Sequence, residues 1–336
     1  MAQKNKLLWY YCDFPTVEGI LSHNEIWGNS TACLNDPSEY DYGFDFLRRA
    51  FSPDTSTPDN FLEVSNNLKQ RHAYWTSLNS LGTYYKGEPY YSEEINLLDY
   101  VDRLYEALSI AEAIPRDELF VLCASNVRDS LNQFRLYGGE SPHAIGFDAS
   151  KRFIILLDSG SNSYYADDFD ALCGIWLKVG YSYADFHLMT MDALSTMIPI
   201  LDKGESSNQE KAIKDCAYIL LQLAARLKRP EYAEEHEYRC VFRPINTQCI
   251  HYRQTRFSDK TSYIKAGCSG YNYFSNGTGI GELRECNRFD SAKLPIFEVI
   301  IGPNDDGDKT EEAIRQLCVK YKWENLPIVS THNMYR

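Results

Sequence analysis

The sequence predicts an α+β protein built on a mixed, mainly antiparallel central sheet with helical insertions. Three observations predict it. Short apolar or β-branched runs recur along the chain and read as strands. Stretches with the 3.6-residue apolar period of a helix lie between them. The two kinds do not alternate strictly, as a parallel βαβ sheet would require. The chain has 336 residues and 44% hydrophobic content, enough for a sizeable core. No repeat, low-complexity tract or long linker divides it. One α+β domain over 1–336 is expected, with helical insertions at about 53–117 and 184–230.

Taken in order, "LLWYYC" reads as an aromatic first strand, "TVEGILSH" as a helix and "EIWGNS" as a second strand. Leu34-Asn35-Asp36-Pro37 is turn chemistry, because Asn and Asp bond their own backbone and Pro fixes its φ. "PSEYDYGFDFLRRAF" then reads as a helix, with Asp36 placed to cap its start near Ser38. "SPDTSTPD" is a polar hinge into the first insertion. "LFVLCAS", "AIGFD", "IWLKVGYS", "EYRCVFRP", "IFEVIIGP" and "LPIVS" read as further strands. The clearest helix is "NQEKAIKDCAYILLQLAARLKR", with apolar residues at 213, 216, 217, 220, 224 and 227 and a capping box at Ser207-x-x-Glu210. "TEEAIRQLCVKY" puts Ile314, Leu317, Cys318 and Tyr321 on one face, with Asp308-x-x-Glu311 as its start.

Composition narrows the function. The formal charge of −13 repels phosphate backbones, which disfavours general nucleic-acid binding. None of the ten cysteines forms a C-x-x-C or a zinc spacing, and most sit in apolar runs, so free buried thiols are expected. No apolar run of about 18 residues occurs, so no membrane span and a cytoplasmic, reducing location are expected. "GPNDDGDKTEE" lacks the ligand spacing of an EF-hand, and no metal site is expected. "NGTGIGE" lacks G-x-G-x-x-G and reads as a loop; a P-loop is absent.

Two stretches carry candidate chemistry. In "YAEEHEYRCVFRP", a strand would place Glu235, Glu237 and Arg239 on one face and Cys240 and Phe242 on the other. That face is either solvated with an internal Glu–Arg pair, or a ligand surface whose two carboxylates divide acid–base labour. In "DSLNQFRLYGGESPHAIGFD", a short helix ends at Gly138-Gly139, with Arg135 and Tyr137 near its end. The glycine pair is either a helix stop or a place where backbone approaches a ligand.

These stretches together resemble a large bacterial family of domains of unknown function. The opening from "LLWYYC" to the LNDP-x-E turn, "SLNQFRLYGGESPHAIGFD" with Phe134 where tryptophan is usual, "EEHEYR" and "IFEVIIGP" stand in the family's order. The layout is similar to the ADP-ribosyltransferase superfamily, and related families occur in abortive-infection and phage-defence settings. The resemblance implies an ADP-ribosyltransferase-like sheet and an NAD-consuming enzyme, a transferase or NAD glycohydrolase acting as toxin or defence effector. A non-catalytic nucleotide- or protein-binding sensor is the alternative it leaves.

By that resemblance Glu237, or Glu235, falls at the late catalytic glutamate, with Glu237 stabilising the ribosyl cation and Glu235 orienting an acceptor, protein or RNA. Tyr10 falls where a histidine would hold the NAD ribose. Asn35, Asp36 and Glu39 would close one wall of the pocket. Tyr137 would stack on a base, and Arg135 or Arg239 would pair with the pyrophosphate.

Overall fold

Asp13 ends the first strand and begins the first helix. This follows from the computed structural model, which describes residues 7–34, 36, 38–52, 100–156, 173–204, 208–244, 249–254, 260–268, 293–303 and 307–331. Strand β1 (Leu7–Asp13) runs into α1 (Phe14–His23). The Asp13 carboxylate accepts from Thr16 N at 3.0 Å, and Pro15 sits in the first turn, where no N–H is needed. Asn24, at φ 56°, closes the helix by donating its N–H to Ile20.

The elements that follow are β2 (Ile26–Ser30), α2 (Glu39–Ala50), α3 (Val101–Glu112), β3 (Phe120–Ser125), α4 (Leu131–Tyr137), β4 (Pro142–Asp148) and β5 (Phe153–Ile155). After them come β6 (Cys173–Gly174), β7 (Leu177–Lys178), α5 (Tyr183–Gly204), α6 (Gln209–Ala224) and β8 (Glu237–Phe242). The described chain ends with β9 (Ile250–Arg253), β10 (Thr261–Cys268), β11 (Ile296–Ile301), α7 (Gly307–Lys320) and β12 (Ile328–Ser330).

The architecture is α+β with a mixed, mostly antiparallel sheet. Its strand order is β12-β11-β4-β1-β3-β2-β10-β5-β6, with β8 on β3, β7 on β8 and β9 on β10. Only β11 and β12 pair in parallel among these strands, joined by α7 as a crossover requires. Strand β3 is the junction. One of its edges is paired throughout with β8, from Phe120↔Phe242 to Ser125↔Glu237. Its other edge is shared: β1 meets it only at Trp9↔Ser125, and β2 only at Val121 and Phe120. Along Leu122–Ala124 that edge has no strand partner among the described residues, so the sheet forks there.

Side-chain alternation sends the two faces of β3 and β8 into different cores. Val121 and Val241 pack with α2, α3, α5 and α6. Phe120, Leu122, Cys240 and Phe242 pack on the opposite face, in the core that α1 and α7 cover. The described helices of both insertions thus join one layer with α2; most of the 53–117 segment lies outside the described residues.

Several expectations need correction. Helix α6 is capped by Asn208, whose side chain accepts from Lys211 N; Ser207 lies outside the described residues. Helix α7 begins at Gly307, so Asp308 is inside its first turn. The run at 175–182 makes only the two-residue β7, because it changes partners: Val179 N donates to Glu237 and Gly180 pairs with Leu227. Strands β5, β9 and β10 carry no alternating apolar signal; β10 is buried on both faces and interrupted by Lys265 and Gly267. The eight described cysteine side chains are free thiols, with Cys33 exposed. No described helix is long and apolar enough to cross a membrane.

Gly43 marks the tightest approach between α2 and α6. A Cβ there would lie 2.1 Å from the Ala224 carbonyl oxygen. In an unobstructed helix Gly→Ala stabilises by about 1 kcal/mol. Here the clash is with backbone, and overpacking of this kind costs roughly 1–3 kcal/mol. Gly43→Ala is therefore expected to lower the urea midpoint; a raised midpoint would contradict this packing.

Candidate functional site

The fork opens into a cleft of about 830 Å³. Strand β3 is its floor. Helix α4 forms one wall with Asn132, Arg135, Leu136 and Tyr137; the turn with Leu34, Asp36 and Glu39 forms another; the 3-10 turn Pro230–Glu235 forms a third. Helix α4 is held at its N-terminal end. Ser130 caps it, and the Tyr11 hydroxyl accepts from Ser130 N while donating to the Val127 carbonyl. Phe134 turns inward against Tyr11, with ring centroids 5.0 Å apart.

Under the cleft lies a buried charge cluster. Arg239 on β8 donates Nε to Glu237 Oε1 (2.9 Å) and Nη2 to Glu237 Oε2 (3.0 Å) and to Glu39 Oε1 (2.5 Å). Its Nη1 donates to the Ala225 carbonyl at 2.7 Å. Lys228, just past α6, places Nζ 2.6 Å from Glu235, 3.2 Å from Glu237 and 3.1 Å from Glu39. Three carboxylates therefore surround two cations, a formal charge of −1. The close packing at Gly43 supports this arrangement, since it brings Glu39 on α2 and Ala225 beyond α6 to the same guanidinium.

The electrostatics follow from burial and pairing. Burial alone would push the Glu237 carboxyl up, but Arg239 and Lys228 outweigh it and hold it at about 2. Burial opposes the charge of Lys228 as well, and Glu237 with Glu39 and Glu235 reverses this and raises its pKa. Glu235 is raised by burial, which exceeds the opposing pull of Lys228. Burial also raises the hydroxyls of Tyr10 and Tyr137, which stay protonated.

A pH dependence follows. Glu237 is depressed in the folded state, so its contribution is present above its ordinary value of 4.5 and disappears as pH falls towards 2. Glu235, raised when folded, works the other way and takes up its proton first on acidification. Stability is expected to hold or rise slightly on approach to pH 4.5 and then to fall steeply. Urea midpoints against pH will show this, and Glu237→Gln is expected to flatten the acid limb. An unchanged acid slope in that variant would contradict the pairing.

The predicted residues are placed as follows. Tyr10, Asp36, Arg135, Tyr137, Glu235, Glu237 and Arg239 all line this cleft. Asn35 lies outside the described residues. Glu235 is not on the strand with Glu237 and Arg239: it ends the 3-10 turn, and His236 at φ 48° separates it from β8. It joins them through Lys228 instead. The Glu237–Arg239 face is not wet, with Glu237 6% and Arg239 2% exposed. Arg239 gives four of its five N–H groups to Glu237, Glu39 and Ala225, so it braces the cluster. Tyr10 points away from Trp9 and Tyr11, packs partly against the opposite core, and also lines the cleft.

Asp36 orders the rim. One oxygen accepts from Ser38 N (2.9 Å) and Oγ (2.6 Å), which lower its pKa, and the other accepts from the Tyr232 hydroxyl at 3.1 Å. Tyr232 in turn lies beneath Lys228, whose Nζ is 4.7 Å from its ring centre. Lys228, Tyr232 and Trp27 were not legible as site residues. For Lys228 the signal was a basic pair just before Pro230 and the acidic run, where a helix end meets carboxylates. No His/Cys/Asp/Glu group suited to a metal ion occurs among the described residues. No protein-family model matches the chain, and no curated protein or solved structure matches it.

Proposed function

We propose that the chain is an ADP-ribosyltransferase-like protein that binds NAD in the forked cleft and breaks its nicotinamide–ribose bond. The supporting observation is the meeting, at the fork, of aromatic walls with a cluster of three carboxylates around Lys228 and Arg239. Six carboxylates and three cations line the whole cleft. Such a cleft suits a ligand whose reacting end is positive. The nicotinamide ring is cationic, and the ribosyl group becomes so as the bond breaks. The bond's electron pair leaves with nicotinamide nitrogen. The ribosyl carbon is then taken by an acceptor hydroxyl, amine or guanidine, or by water, whose proton passes to a carboxylate.

Glu235 is the carboxylate fitted to meet the substrate. One of its oxygens is held by Lys228, and the other has no hydrogen-bond partner among the described residues. Glu237 acts through Lys228 and Arg239 as a positioning residue. The resemblance of the sequence motifs adds the setting, a toxin or phage-defence effector modifying protein or RNA.

One observation favours a second reading. Both Glu237 oxygens are engaged by cations, as in a structural brace. On that reading the cleft binds a nucleotide without turnover, as a sensor. The test is nicotinamide release from NAD by the full chain, with calorimetric NAD binding beside it. Release supports the enzyme. Binding without release supports the sensor, and neither binding nor release overturns both.

A further inference from the structure

We propose that the end of the cleft at β2 is a purine subsite, with the base stacked on Trp27, so that the cleft binds a dinucleotide in one direction only. This rests on the nucleotide reading above and deepens it. Trp27 lines the cleft and is 38% exposed. It is held rigidly from behind: its ring stacks on Tyr263 of β10 at 4.4 Å and 30°. Its indole N–H donates to Glu25 at 3.0 Å. A large aromatic ring fixed on one side and open on the other is a stacking platform.

This end sets a guanidinium beside the platform as well as the Glu25 carboxylate, whereas carboxylates outnumber cations at the fork. The Arg253 guanidinium lies 5.2 Å from the Trp27 ring centre and 5.6 Å from that of Tyr263. Its Nη2 donates to Asn29 Oδ1 at 2.9 Å, and its Nε is buried with no acceptor among the described residues. With that oxygen occupied, the Asn29 amide offers a ligand its N–H groups. A cation beside the platform disfavours a positively charged ring relative to a neutral, acceptor-rich one.

At the other end the three carboxylates favour the cationic ring. Val121, opposite Asn29, and Ser125, opposite Glu237, are four residues apart on β3. That is about 13 Å at the rise of a strand. The separation suits the two ring systems of an extended dinucleotide. The purine lies at Trp27 and the nicotinamide at Glu235.

The test is calorimetry on the full chain with adenosine monophosphate and nicotinamide mononucleotide as separate probes. Trp27→Ala is expected to weaken adenosine monophosphate about tenfold to a hundredfold, the range for losing one base–aromatic stack. It should leave nicotinamide mononucleotide unchanged. Trp27→Phe, which keeps a ring, should retain most of the affinity and serves as the folding control. 1-Methyladenosine monophosphate, whose ring is cationic at neutral pH, should bind the wild type about tenfold more weakly than adenosine monophosphate, and Arg253→Met should narrow that ratio. Unchanged adenosine monophosphate affinity in Trp27→Ala, or its failure to bind wild type while nicotinamide mononucleotide binds, overturns the subsite and leaves the nucleotide reading standing. Failure of both probes and of NAD to bind the wild type overturns both.

Discussion

Arg239→Met is expected to destabilise the folded protein by about 3–5 kcal/mol, the usual cost of removing one partner from a buried ion pair. The substitution keeps volume and removes four donated hydrogen bonds. Glu237, Glu39 and the Ala225 carbonyl lose their shared donor, and Lys228 alone must then neutralise three carboxylates. The penalty comes from stranded charge and not from lost packing. Arg239→Met combined with Glu237→Gln and Glu39→Gln should therefore be less destabilised than the single variant, because no unpaired anion remains. Urea denaturation of the two variants decides it. A single variant within 1 kcal/mol of wild type would mean that the cluster is not desolvated as its burial indicates.

Glu235→Gln is expected to lower nicotinamide release about 10²–10³-fold, the loss typical of removing one preorganised electrostatic contact, roughly 3–4 kcal/mol of barrier. The amide keeps the size of the side chain and an oxygen for Lys228. Because one oxygen has no hydrogen-bond partner among the described residues, the fold should change little, and KM should move less than kcat. Glu237→Gln should show the contrary pattern. It disturbs Arg239 and Lys228, so stability falls together with rate. If Glu235→Gln turns over NAD like the wild type while Glu237→Gln is folded and inactive, the roles of the two glutamates are reversed.

Both ends of the sheet's history in the sequence are instructive. β1, β3, β4, β8 and β11 were readable because their apolar runs are short, dense and bounded by turn residues. β10 was not, since burial on both faces removes the alternation that marks a strand, and Lys265 and Gly267 imitate a loop. α2 and α6 were readable from their apolar period. What periodicity cannot supply is which helix touches which strand. Glu39 was legible as part of a turn, yet its place on Arg239 depends on the packing of α2 against α6 at Gly43. Glu235 and Glu237 were assigned to one face by the period of two, which fails once the backbone turns at His236. Trp27 looked like an ordinary strand residue, because its stack on Tyr263 joins two distant strands.

The Glu39–Arg239 contact spans 200 residues of chain. Loop closure over such a span is entropically expensive and comes late in folding. At about 5–20 residues per second, a ribosome leaves roughly 10–40 s between making the two residues. Strand β3 likewise waits for β8 before the edge that is paired along its whole length is complete. A nascent chain that has released β1 to α6 therefore holds an aromatic wall and Glu39, without the Arg239 guanidinium that Glu39 later meets. Synthesis itself keeps the cleft unassembled until most of the chain exists, and a product terminated before residue 239 lacks the brace on which the site depends.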